Sequence, residues 1–380
     1  MKVLILHNQL WTQYKSVIFQ GIYEDFEKSS DELLVLQSSI CERSRLNIID
    51  FNLSNFNYTY PYVLLNETSL EDSNPLRTTF LWIKFILKFK PDVINLTGYA
   101  EIGTIVVLVL AKVLGIRTLM TNESIHSDRL HSFSVIQLIY NTYKNVLISL
   151  TDGFLSYGLK SNDYLYRLGV KKRQIHSYLN TFDRSKFHLY ANSTYSNNVP
   201  YILFVGRLSE EKNIESLINL GRLFKNDNFN CQIRIVGDGS QLAIFKKIVF
   251  KEELPLVLEG AIKWDQLGPI YESATAFILP SLNETWGMVA NEALEYGLPV
   301  ICSSACGCAD DLIINGFNGL VIDEFNFTLD SPNLTYFRIK DYIASLLLND
   351  SLKDLNKKIS SIYDESKLIR EFVSAFKCVN

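Results

Sequence analysis

The stretch TAFILPSLNETWGMVANEALEYGLPVICSSACG, residues 275–307, decides the fold. It opens on a short apolar run, Ala276 to Leu279, stopped by Pro280, which reads as a buried strand of a parallel sheet running into a loop. Gly287 then permits a tight turn, and Met288, Val289, Ala293 and Leu294 start an apolar pattern of period 3.6, so a helix begins near Trp286–Met288. A helix start beyond a strand end leaves unpaired N–H groups and about half a positive charge facing the crevice where open α/β sheets bind ligands. That is a place for phosphate. Glu284 lies in the loop, and Glu292 falls on the face of Met288 and Val289, at spacings of four and three, so it is expected to look back into the same crevice. A Glu pair at this spacing is by itself more often solvated surface. Beside an anion site, two acceptor-only carboxylates suit a ligand with hydroxyls as well as phosphates, which describes a nucleotide sugar.

Upstream, YILFVGRLSEEKNIESLINL (201–220) repeats the rhythm: a strand to Val205, a turn at Gly206, and a helix expected to begin over Glu211–Asn219. Arg207 and Lys212 flank that turn. Arginine binds phosphate as a fork and lysine as a point charge, so the pair suits a diphosphate, although alone it would read as two solvated cations. CQIRIVGDGS (231–240) gives another strand and Gly237-Asp238-Gly239, which alone is a turn. A strand over 255–259 and a helix over 264–273 complete the approach to the opening stretch. Downstream, Cys302, Cys306 and Cys308 have no fourth nearby ligand and read as small loop residues rather than a metal or redox centre.

ILPSxxExxGMVxxEALxxGLPVI, with its E-x7-E, closely resembles the donor-site motif of the retaining family 4 glycosyltransferases, which have two facing Rossmann-like domains, the architecture called GT-B. Gly206-Arg207 to Lys212 resembles the family's G-R-x-x-x-x-K donor-phosphate motif residue for residue. Gly237-Asp238-Gly239 and the Gly-rich stretch 301–322 also follow the family. The resemblance implies that Arg207 and Lys212 hold the diphosphate, Glu292 the ribose hydroxyls, and Glu284 with the backbone of Gly287, Met288 and Val289 the donor sugar. Gly206, Gly237, Asp238 and Gly239 would line the same pocket. It is strong over 200–322, loose over 1–190 and only architectural after 323.

In the first half, KVLIL (2–6) is a buried strand ending in His7-Asn8-Gln9, where many family members carry a Gly pair instead. A helix over 14–28, strands over 33–36 and 46–50, and a polar loop over 51–75 follow. LRTTFLWIKFILKFK (76–90) is a helix apolar over most of its circumference. A helix packed on the sheet with its lysines in solvent is favoured there over one lying on a lipid surface. A strand and the Gly98 turn, helix 101–115, strand 117–121, a loop 122–128 holding Glu123, His126 and Asp128, helix 129–149 and strand 153–158 continue the alternation of a parallel doubly wound sheet. Asn8, Gly98, Glu123 and His126 are the candidate acceptor-binding residues.

At 380 residues the chain suits two domains. The expected division is 1–190, a linker 191–200, a donor domain 201–364, and a helix 365–380 returning to the first domain, as in GT-B proteins. Residues 1–190 hold 20 Lys/Arg against 17 Asp/Glu (+3), and the remainder 17 against 24 (−7). No clustered basic face of a nucleic-acid binder is evident, although the first half would tolerate an anionic lipid surface. Six cysteines without a signal peptide suggest a reducing cytoplasm, with peripheral contact to the inner membrane face left open. The longest apolar run, Ile102 to Ile116, contains Lys112 and is too short to span a bilayer.

The expected protein is an α/β GT-B retaining glycosyltransferase that moves a hexose-type sugar from a nucleoside diphosphate to a glycan or lipid-linked acceptor, in cell-surface polysaccharide synthesis. Arg207, Lys212 and Glu284 are its catalytic candidates. No Asp-x-Asp occurs in the sequence, so no metal and no other cofactor is expected. A nucleotide-sugar 2-epimerase on the same architecture and a non-catalytic nucleotide-sugar-binding protein are the alternatives.

Overall fold

The computed structural model describes residues 1–10, 13–43, 58–98, 103–125, 135–182, 199–327, 333–348 and 365–379. The chain forms two compact units, residues 1–182 with 364–380, and residues 183–363. The expected linker 191–200 lies mostly outside the described residues, and the division falls upstream of it.

Unit 1 is a seven-stranded parallel sheet of β1 (Lys2–Gln9), β2 (Glu32–Ser39), β3 (Tyr62–Leu64), β4 (Val93–Thr97), β5 (Arg117–Asn122), β6 (Gly153–Tyr157) and β7 (Ile175–Tyr178). Its order is β3-β2-β1-β4-β5-β6-β7. Helices cover both faces of a parallel sheet, so its strands read as continuous apolar runs; every residue of β6 is buried. The expected strand 46–50 lies outside the described residues. The segment expected as a plain loop contains β3, which pairs with β2 from Val35↔Tyr62 to Gln37↔Leu64.

The helices of unit 1 are α1 (Gln13–Glu27), α2 (Pro75–Phe89), α3 (Gly103–Leu114), α4 (Val135–Leu150) and α5 (Gly158–Arg167). The ends of α2 are set by local chemistry. The Asn74 side chain accepts from the N–H groups of Leu76 and Arg77, and Pro75 takes the first helical position, where its missing N–H costs nothing. Lys90 closes the helix in the left-handed region, φ 52°, just before Pro91. Trp82 and Ile86 of α2 join Val107, Leu108 and Ala111 of α3 and Leu147 of α4 in one core against β1, β4 and β5. Gly103 makes that approach possible, because a Cβ there would stand 2.2 Å from Thr79 Oγ1.

Unit 2 repeats the plan with six parallel strands: β8 (Tyr201–Val205), β9 (Gln232–Val236), β10 (Leu256–Gly260), β11 (Ala276–Leu279), β12 (Val300–Ser303) and β13 (Gly319–Ile322). Their order is β10-β9-β8-β11-β12-β13. Its helices are α6 (Ile214–Asn226), α7 (Leu242–Glu252), α8 (Gly268–Ser273), α9 (Met288–Glu295), α10 (Ala309–Leu312) and α11 (Leu334–Leu347). The last helix, α12 (Glu365–Val379), belongs to unit 1 and packs on α1 and on β5, β6 and β7. Phe372 meets Tyr178 at 4.4 Å between ring centres. Both sheets reverse strand order between their first and fourth strands, β1/β4 and β8/β11, and such a reversal opens a crevice at the carboxyl ends of the strands.

Candidate functional site

At the β8/β11 reversal, three turns are pressed together backbone to backbone. Gly206 N–H donates to Val236 O at 3.0 Å, and Leu208 N–H to Asp238 O at 2.9 Å. A Cβ on Gly237, whose φ is +147°, would stand 1.8 Å from Gly206 O, and one on Gly239 would stand 2.4 Å from Leu208 O. Glycine is therefore required at both positions by backbone, not by a movable side chain. Asp238 turns its carboxylate onto Gly239 N–H at 2.7 Å. Sequence reading could treat G-D-G only as a turn; the packing against 206–208 gives its purpose.

The helix expected over 211–219 is instead a short 3-10 turn, Glu210–Lys212, followed by α6. Asn213 separates them at φ 54°, a left-handed conformation that Asn tolerates better than most residues. This turn is tied across the crevice, since Leu282 N–H donates to Glu211 O at 2.7 Å. It carries Lys212 to Glu284, 72 residues away, and the two form an ion pair in which each side chain is about 15% exposed. Arg207 is half-exposed and pairs with Glu211 at 3.1 Å. The turn thus presents two cations, each shared with a carboxylate, Arg207 in an exposed pair and Lys212 in a largely buried one.

Glu284 is anchored from behind: Gly307 N–H donates to its carbonyl at 2.8 Å and Cys308 N–H to that of Trp286 at 3.0 Å. A Cβ on Gly307 would stand 1.9 Å from Thr285 O. The three thiols of this region are buried; Cys306 Sγ lies 3.8 Å from Leu279 O, and Cys308 Sγ is among the atoms nearest to Gly287. Gly287, at φ +98°, caps α9 with no side-chain bond. The first N–H groups of α9, including those of Met288 and Val289, have no intrahelical acceptor and carry the positive end of the helix dipole.

Glu292 departs from expectation. It is 1% exposed, and its two oxygens accept from Trp264 Nε1–H at 3.0 Å and Tyr271 O–H at 2.9 Å. An open carboxylate looking into the crevice is therefore not what the helix presents. Residue 292 lies on the face of α9 that meets α8 and the 264–266 turn, elements the 3.6 periodicity could not place.

Unit 1 builds a different crevice. His7 is buried, its Nδ1 2.8 Å from Gln37 Oε1 and 2.9 Å from Gln9 O. Both partners are acceptors, so Nδ1 carries the proton and Nε2 the lone pair. Burial, helped by the nearby Lys15 ammonium, brings its pKa down to about 4. Lys15, from the first turns of α1, pairs with Glu123 at 2.9 Å and stands 4.0 Å over the Tyr157 ring. Burial pulls the Lys15 pKa down against the pull of Glu123. Burial pushes the Glu123 carboxyl up, but Lys15 and His7 outweigh it and hold the pKa below its ordinary value. Gly98, at φ +68°, donates to Thr121 O at 3.0 Å, and Asn8 is half-buried at the end of β1. His126 lies outside the described residues. Sequence reading missed Lys15, whose place in the turn after a first strand was the available signal. At these strand ends the hydroxyls of Ser38, Ser39, Ser156 and Tyr157 are buried without a hydrogen-bond partner.

Among the described residues no group of three or more His, Cys, Asp or Glu side chains is placed to hold a metal ion.

Residues 190–330 match the family described as glycosyl transferases group 1. The chain is 30% identical over 192 residues to an uncharacterized glycosyltransferase of Methanocaldococcus jannaschii, covering 46% of this chain and 44% of that protein. It is 27% identical over 244 residues to a sulfoquinovosyl transferase of Arabidopsis thaliana, covering 60% and 46%. The chain thus spans less than half the length of these curated relatives. Among solved structures, Anabaena HepE in complex with UDP and glucose superposes with a TM-score of 0.70 at 14% identity, covering 99% of each chain. That likeness shows the fold, the two-domain α/β architecture of GT-B glycosyltransferases.

Proposed function

We propose that this chain is a metal-independent retaining glycosyltransferase of the family 4 type, taking a sugar from a nucleoside diphosphate held in unit 2 and passing it to a glycan or lipid-linked acceptor held in unit 1. Cell-surface polysaccharide synthesis in the cytoplasm is the setting that best suits it. The observation that carries this reading is the meeting of three turns at β8/β11: Gly206 to Lys212, Gly237 to Gly239, and Glu284 to Val289. Together they set two cations and an uncapped helix start around one crevice.

The chemistry follows from charge. Breaking the bond from the anomeric carbon to the diphosphate puts positive charge on the sugar and negative charge on the leaving phosphate, so groups fixed toward the phosphate lower the barrier. The start of α9 contributes directly, and Arg207 turns to the phosphate from its exposed pair with Glu211. Lys212 begins the cycle on Glu284, and a phosphate arriving beside it lets Glu284 turn to sugar hydroxyls. Glu292, held by Trp264 and Tyr271, is the residue that the family resemblance assigns to the ribose. The leaving phosphate takes the acceptor proton on the same face, which asks for no protein nucleophile. In unit 1 the buried hydroxyls without partners are what an acceptor or its bridging waters would satisfy.

The test is incubation with a panel of nucleotide sugars, scored by release of free nucleoside diphosphate with and without EDTA. Turnover of one donor that survives chelation is expected. Loss on chelation, restored by magnesium or manganese, would refute metal independence, and no turnover with any donor would remove the enzyme reading.

A further inference from the structure

In a doubly wound sheet the outer faces of the covering helices normally meet water and carry charge of both signs. Unit 1 breaks that rule on one side. Helices α2, α3 and α4 contain no Asp or Glu, whereas every other α-helix described carries at least one. Large apolar residues stand outward on them: Leu76, Phe80 and Leu87 on α2, Val106, Val109 and Val113 on α3, and Val146 among the exposed uncharged Asn141, Thr142, Asn145 and Ser149 of α4, with Leu76 80% and Val113 77% exposed. The helices are neighbours, α2 packing on α3 and α3 on α4, so these side chains form one patch rather than scattered exceptions.

The charges that remain are placed to one side of it. On α2, Leu76, Phe80, Ile83 and Leu87 share one stripe, and Arg77, Lys84 and Lys88 the adjoining one, by their spacings of three, four and seven. Lys112 is engaged by Asp152, and Lys144 stands 4.9 Å over the Tyr164 ring. The outward positive charge therefore belongs to α2.

We infer that the α2–α3–α4 face of unit 1 lies on the surface of an anionic lipid bilayer, its apolar stripe entering the headgroup boundary and Arg77, Lys84 and Lys88 meeting lipid phosphates. Charge decides the occupant. A second copy docked by twofold symmetry would set the same three cations against their own counterparts with no acid to relieve them, whereas anionic headgroups complement them. No helix of the described residues is long and apolar enough to cross a membrane, so the contact is interfacial. The surface belongs wholly to unit 1, and its test does not depend on the donor reading.

The full chain is floated with vesicles of phosphatidylcholine alone and with about one third phosphatidylglycerol. Binding to the anionic vesicles, weaker to the neutral ones and falling with salt, is expected. Lys84→Gln with Lys88→Gln weakens it roughly twentyfold or more, at about fivefold per charge. Phe80→Ser with Val113→Ser weakens it roughly tenfold at constant charge. These side chains are exposed, so circular dichroism and the melting temperature of both variants should match the parent. Absence of binding to anionic vesicles, or binding that neither pair changes, overturns the inference. So does light scattering that shows a dimer which Phe80→Ser with Val113→Ser dissociates while vesicles bind nothing.

Discussion

Around β8/β11, Gly206 follows β8, Gly237 follows β9 and Gly287 starts α9, and the side chains left near them are Arg207, Lys212 and Glu284. At β1/β4, in a sheet of the same strand order, the corresponding space holds His7, Gln37, Lys15 and Glu123. The first crevice is made by removing side chains so that turns close on one another backbone to backbone with cations beside them, which suits the anion proposed for it. The second is filled with side chains, one neutral imidazole and one internally paired lysine among them, and leaves buried hydroxyls unsatisfied. One topology thus supports two kinds of site, and what distinguishes them is whether close-packed glycine turns with cations beside them, or buried and internally paired side chains, line the crevice.

The largest expected effect is at Gly237. Gly237→Ala sets a Cβ against the carbonyl of Gly206 in a backbone conformation that alanine resists, so the two turns must separate. Nucleoside diphosphate affinity should fall more than about a hundredfold, with a strain of roughly 2–3 kcal/mol visible as a lower melting temperature. A variant that binds as tightly as the parent would break the claim that these turns build the anion site.

The two cations should then separate. A charge-assisted contact to phosphate contributes about 1.5–3 kcal/mol, so Arg207→Ala should lose about tenfold in kcat/KM. Lys212→Ala should lose about a hundredfold, because it also leaves the Glu284 carboxylate unpaired beside the phosphate. Equal losses would mean that the Lys212–Glu284 pair plays no part.

Unit 1 is sharpened by pH. His7 has a folded pKa of about 4 against an ordinary 6.5, so the neutral form is favoured in the fold. Its contribution is complete above pH 6.5 and is lost as pH falls toward 4, on the order of 3 kcal/mol in all. His7→Asn should flatten that slope in urea unfolding followed from pH 7 to 4. An unchanged slope would place the acid sensitivity elsewhere.

The smallest effect is the split between the glutamates. Glu292→Gln puts an amide where Trp264 and Tyr271 both donate, and should weaken binding of the bare nucleoside diphosphate about tenfold. Glu284→Gln should leave it nearly unchanged and weaken the nucleotide sugar instead. The reverse pattern in calorimetry means that the roles are swapped.

The alternation of strands and helices was legible because parallel strands are buried on both faces and leave runs such as YILFV and AFIL. The turn proposed to hold phosphate could be picked out because Gly206, Arg207 and Lys212 lie within one loop. β3 escaped notice because its short run, YVLL at 62–65, sits in a polar, Asn-rich segment, and Tyr62–Leu64 are only half-buried. Lys212 on Glu284 and Glu292 under Trp264 and Tyr271 could not be read at all. They join residues 21 to 72 positions apart, and only tertiary packing chooses between such partners. Periodicity places Glu292 on a face of α9; it does not say what that face meets.

Calorimetric titration of nucleoside diphosphates into the parent, Lys212→Ala and Lys15→Ala proteins tests the donor assignment most directly. One nucleoside diphosphate should bind the parent, bind Lys212→Ala about a hundredfold more weakly, and bind Lys15→Ala as it binds the parent. Loss of binding in Lys15→Ala with full binding in Lys212→Ala would put the donor in unit 1 and contradict the account.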